Sequence, residues 1–144
     1  MSAEHEINTL LNEYAYRVDT GDLEGFLELF ENGEWSVEGS TVSHGRNELF
    51  NNVISNIILY EDGTPKTRHV TANVSLDVDE AAGRAKGQRY VTVLQQTDRL
   101  PLQTIFSGHY FDDFVKENGR WRFEKTVVRN PLVGDMSAHL TATL

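Results

Sequence analysis

Residues 103–130 read QTIFSGHYFDDFVKENGRWRFEKTVVRN. Asn118-Gly119, inside this stretch, is the preferred pair for a tight hairpin turn. The runs on either side, 103–115 and 120–130, are rich in aromatic and β-branched residues, so each reads as a strand. Working back along the chain, a break at 98–101 precedes a third run, 84–96, with Tyr90, Val91, Val93 and Leu94. A turn at 80–83 separates that run from 69–78, where polar and apolar residues alternate. The C-terminal half is therefore expected to be an antiparallel meander.

The N-terminal half carries a different period. From residue 4 to 19, Ile7, Leu10, Leu11, Tyr14, Ala15 and Val18 keep the one-sided spacing of an amphipathic helix. Gly21 can end that helix in the left-handed conformation, and Asp22 can cap a second helix over 23–30, which carries Leu23, Phe26, Leu27 and Phe30. Residues 35–39 read as a short strand. Leu49, Phe50, Val53, Ile54 and Ile57 give 45–58 the spacing of a third helix, and 60–66, with Gly63 and Pro65, reads as a loop. Helices first and strands afterwards indicate an α+β domain, with three N-terminal helices on one face of a curved, mostly antiparallel sheet. The 144 residues fit one domain, with 130–144 as a C-terminal tail of little periodicity.

Composition narrows the function classes. A net charge of −9 argues against affinity for nucleic acid or anionic membranes, which need clustered Lys and Arg. The absence of cysteine removes disulfides, thiolate nucleophiles and iron–sulfur ligation. The first residues lack a basic region followed by an apolar run, and no stretch approaches a membrane span, so the expected location is cytoplasmic. The five histidines show no HxH or HExxH spacing, and neither phosphate-binding glycine loops nor GxSxG occur. No metal and no cofactor is expected.

The order of elements resembles the SnoaL-like branch of the nuclear-transport-factor-2-like superfamily. Four local strings carry the likeness: residues 14–22 (YAYRVDTGD), 34–39 (EWSVEG), 68–73 (RHVTAN), and 108–112 (GHYFD) leading to 119–123 (GRWRF). The resemblance implies a cone-shaped, cystatin-like roll around a small-molecule pocket. Within that branch the pattern is similar to scytalone dehydratase, bile-acid dehydratase and lindane dehydrochlorinase, which eliminate water or hydrogen chloride without a cofactor. It places Asp19 and His69 at the positions of their catalytic aspartate and histidine, with Tyr14 and Arg129 matching a pocket tyrosine and arginine of the bile-acid enzyme. The chain departs from the dehydratases on the first strand, where Val37 or Glu38 stands in place of a tyrosine.

The residues admit this chemistry and also plainer readings. Imidazole is the side chain best suited to moving protons near neutral pH, and a carboxylate on its far nitrogen fixes the tautomer. Asp19 lies at the negative end of its helix, so it is either a solvated acid or held there by a partner. Strand parity groups His69 with Thr71, Asn73 and Ser75, a polar row that faces either solvent or a wet cavity. Arg129 shares parity with Trp121, Phe123 and Val127, and reads as a ligand anchor or as half of an ion pair. Tyr14 is a core residue that a pocket would also explain, and Trp35, Phe106 and Tyr110 are core residues first and pocket lining second.

The expected function is a cofactor-independent acid–base lyase or isomerase acting on a small apolar, cyclic or polyketide-like molecule. Alternatives are a polyketide-type cyclase, or a non-catalytic ligand-binding or oligomerising subunit like the small subunits of ring-hydroxylating dioxygenases. A homodimer or homotrimer is expected because such a fold leaves a sheet face to cover.

Overall fold

The computed structural model describes residues 1–142; residues 143–144, the end of the 130–144 tail, lie outside the described residues. Helix α1 (Ala3–Asp19) starts where the Ser2 side chain accepts from the His5 N–H at 3.1 Å. It buries Ile7, Leu11, Tyr14 and Val18 along one stripe. Gly21 takes φ +80°, the Asp22 N–H donates to the Arg17 carbonyl at 2.8 Å, and the Gly21 N–H donates to Val18 at 3.1 Å. These two bonds satisfy carbonyls the helix end would leave unpaired, as a glycine C-cap does. Asp22 then caps helix α2 (Leu23–Leu29) by accepting from the Gly25 N–H at 2.9 Å.

Helix α3 (Gly45–Asn52) is shorter than the 45–58 read from spacing. Val53 breaks the ladder, a single 3₁₀ turn follows at Ile54–Asn56, and Ile57 is extended. The physical reason is tertiary. The Ile58 N–H donates to the His139 carbonyl and the Thr141 N–H to the Asn56 carbonyl, both at 2.9 Å. A strand-like pairing with the C-terminal segment thus takes up the backbone groups that a longer helix would have used.

Among the described residues six strands form one sheet: β1 (Glu34–Val37), β2 (Ser43–His44), β3 (Thr67–Asp79), β4 (Arg84–Gln95), β5 (Gln103–Glu117) and β6 (Arg120–Val133), in the order β2-β1-β6-β5-β4-β3. All neighbours are antiparallel except β1 with β6. Asn118 and Gly119 both have positive φ, 53° and 77°, as a type I′ hairpin turn requires. Strand β6 runs past the expected end at 130 because Leu132 and Val133 still pair with Ser107 and Phe106.

Register shifts in β3–β4, β4–β5 and β5–β6 bend the sheet. The helices cover its inner face, where Val91, Ile105, Phe114, Phe123 and Val128 meet Ile7, Leu11, Phe30 and Leu49, all buried. The architecture is α+β, with the helices on one face of a mostly antiparallel sheet, as the patterning implies.

Candidate active site

The end of α1 and the start of β3 meet through two glycines. A Cβ on Gly21 would lie 1.9 Å from the Gly63 carbonyl oxygen, so only glycine lets the turn after α1 press on the loop that leads into β3. Asp19, the last residue of α1, is thereby set against Thr67 and His69 in β3.

Its carboxylate accepts three hydrogen bonds. Thr67 Oγ1 donates to Oδ1 at 2.7 Å, the His69 backbone N–H donates to Oδ2 at 2.7 Å, and His69 Nδ1 lies 2.6 Å from Oδ1. Burial alone would raise the Asp19 carboxyl, but the hydrogen bonds and charge of His69, with help from Thr67, outweigh it and hold the carboxyl below the usual range. An ionised carboxylate can only accept, so Nδ1 carries a proton, which makes Nε2 the lone-pair site of the neutral ring. Nε2 makes no hydrogen bond to a described residue.

His69 lines an apolar cavity of about 60 Å³ together with Tyr14, Trp35, Phe106, Tyr110 and Ile54. His69 and Thr71 turn inward, and Val70 and Val74 are exposed on the outer face. Before the bulge at Asn73, His69 and Thr71 thus take the inner side of β3 and Val70 the outer, and of these His69 lines the cavity. Tyr14 is buried, and its hydroxyl oxygen accepts from Trp35 Nε1 at 3.0 Å. Burial raises the phenol pKa of Tyr14, and raises that of Tyr110 further.

Two expected site residues lie elsewhere. Asn73 is exposed, with φ 54°, inside a bulge where β3 spends one more residue than β4 between Ala72 and Ser75. That extra residue ends the parity that links it to His69. Arg129 is also outside the cavity: it pairs with Glu38 at 3.0 Å and lies 4.4 Å over the ring of Phe111 on the outer face. Here too a bulge is responsible. Phe123 pairs with Phe114 and Lys125 with Asp113, so one extra residue sits in β6. The inward set changes from Trp121 and Phe123 to Thr126 and Val128, and Arg129 turns outward.

Two features went unread in the sequence. Arg89 is wholly buried, its Nε and Nη2 donating to Asp112 at 2.8 and 3.2 Å, with its guanidinium 4.6 Å above the Tyr14 ring and 4.9 Å above Tyr110. Parity could have found it, since Arg89 lies on the β4 face of Ala85, Val91 and Val93. His139 is the other, a buried imidazole in the same cavity as His69 with its ring centre 6.4 Å away. No periodicity marks it.

No group of three metal-ligating side chains occurs among the described residues, and no described helix is long and apolar enough to cross a membrane.

The family model described as SnoaL-like domain matches residues 1–127. Among curated proteins, none matches the chain by sequence. Among solved structures, a variant of Rv3472, a protein of unknown function from Mycobacterium tuberculosis, is 25% identical with a TM-score of 0.71, over 88% of this chain and 70% of that one. A candidate scytalone dehydratase from Novosphingobium aromaticivorans is 24% identical with a TM-score of 0.70, over 92% and 87%. LinA is 20% identical with a TM-score of 0.70, over 98% and 95%. The last two likenesses speak for the fold, which other neighbours' descriptions call cystatin-like.

Proposed function

The chain belongs to the family of SnoaL-like domains, and we propose that it binds a small cyclic, largely apolar molecule and catalyses an acid–base lyase or isomerase reaction on it without a cofactor. The observation that carries this reading is the Asp19–His69 pair, 2.6 Å apart, in the wall of an apolar cavity. In the reaction, His69 Nε2 takes a proton from a carbon next to a carbonyl. The C–H electron pair moves into a new C=C bond and the carbonyl electrons move onto oxygen. Asp19 stabilises the imidazolium that results, and the Tyr14 O–H, whose oxygen already accepts from Trp35, donates to the developing enolate. In a β,γ-unsaturated substrate, return of that proton from the His69 imidazolium to the γ-carbon gives isomerisation; loss of hydroxide from the β-carbon, protonated by the same imidazolium as it departs, gives dehydration.

Ligand sites commonly enclose about 300 to 1,000 Å³, and this cavity is smaller. An adjoining space of about 350 Å³ shares Phe106, Met136 and Leu140 with it, so movement of those side chains would join the two. The test is a set of hydroxylated cyclic ketones incubated in heavy water and followed by NMR. Exchange of the proton next to the carbonyl, lost in His69→Ala, is the expected result. Binding without exchange would favour a ligand-binding protein instead.

A further inference from the structure

The C-terminal segment reaches the cavity with Met136, His139 and Leu140. Its backbone is fastened on both sides of residue 139. The His139 carbonyl accepts from the Ile58 N–H at 2.9 Å, and the Ala138 carbonyl accepts from Tyr60 Oη and Gln95 Nε2 at 2.5 and 3.0 Å. The Thr141 N–H donates to the Asn56 carbonyl at 2.9 Å. None of these bonds uses the His139 side chain.

His139 is 7% exposed, and its Nδ1 is buried with no hydrogen-bond partner among the described residues. Protein interiors rarely leave such a group unpaired unless something else binds there. Burial, with the charge of neighbouring His69 adding to it and Asp19 opposing, pushes the His139 pKa down to about 4. A neutral imidazole is therefore held beside the one assigned to accept a proton, and it can hydrogen-bond an oxygen without placing a second cation next to His69.

We propose that His139 contacts the ligand, and that its imidazole is the hydrogen-bonding group for a hydroxyl or carbonyl oxygen on an aliphatic or aromatic ring packed against Ile54, Phe106, Met136 and Leu140. This rests on the cavity being the ligand site. It divides the labour: His69, backed by Asp19, moves the proton, and His139 holds an oxygen.

Phenol and toluene, equal in size and differing in one oxygen, are the probes. Their affinities for the full chain are measured by titration, with the imidazole ¹⁵N signals followed by NMR. In the wild type, phenol but not toluene shifts a His139 ring-nitrogen resonance. In His139→Phe the phenol-to-toluene affinity ratio falls about tenfold, the worth of one hydrogen bond in a dry site, and His139→Gln, which keeps polar atoms there, restores part of it. Circular dichroism of both variants checks that the fold is retained. Phenol binding with unmoved His139 ring-nitrogen signals, or a ratio unchanged in His139→Phe, overturns the proposal alone. Failure of both probes to bind overturns it together with the reading of the cavity as the ligand site.

Discussion

The Asp19 carboxylate and the His69 imidazole meet at 2.6 Å across the junction of α1 and β3, and the same carboxylate also accepts from the His69 backbone and the Thr67 hydroxyl. One side chain therefore joins two elements while orienting a ring, so its replacement acts on stability as well as on chemistry.

Asp19→Asn is expected to lower proton-exchange turnover by about 10² to 10⁴, because an amide no longer fixes the Nδ1–H tautomer or stabilises the imidazolium. It is also expected to cost about 1 to 3 kcal/mol, since one amide oxygen cannot replace the three bonds two carboxylate oxygens accept. Kinetics and urea unfolding of the same sample check both. A stability equal to that of the wild type would deny Asp19 its structural part.

Acid should weaken the fold above the pH where most carboxylates titrate. His139 has a folded-state value of about 4, below its ordinary 6.5, so the unfolded chain binds its proton first. Its contribution is fully present above pH 6.5 and is lost as the pH falls from there towards 4, by about 3 kcal/mol in all. Asp19, also depressed, adds a loss only below its ordinary 3.8. The groups facing His139 are His69 from β3 and Asp19 from α1. Denaturant midpoints measured from pH 7 to 4 should fall in the wild type and fall less in His139→Gln.

The buried Arg89–Asp112 pair gives a third expectation. Arg89→Met leaves a carboxylate buried with, among the described residues, only the Thr126 hydroxyl donating to it at 2.7 Å, and should cost about 3 to 5 kcal/mol. Adding Asp112→Leu removes the stranded charge and should recover most of that loss. A double variant no more stable than the single one would show that the pair matters for something other than charge compensation.

The outer sheet face exposes Val70, Tyr90 and Leu132, with the Tyr90, His109 and Phe111 rings in contact and Arg129 over Phe111. A second copy of this chain is the expected cover, giving a homodimer or homotrimer whose interface exceeds about 1,000 Å². Light scattering at micromolar concentration should find the oligomer, and Val70→Asp with Tyr90→Glu should yield monomer. A monomeric wild type ends this reading.

The chain's own sequence determined α1, α2, the four-strand meander and the I′ turn at Asn118-Gly119, because period, cap and turn residues are local properties that sit next to one another in the chain. Asp19 and His69 were legible through their strings and positions, although their 50-residue separation says nothing of distance. Only the tertiary structure decided the rest. Extra residues in β3 and β6 turned Asn73 and Arg129 away from the cavity, and a bulge belongs to the pairing of two strands rather than to either one. The same holds for His139: its segment has no period to read, and it is buried because Asn56, Ile58, Tyr60 and Gln95, far away in sequence, supply the hydrogen bonds that seat its backbone.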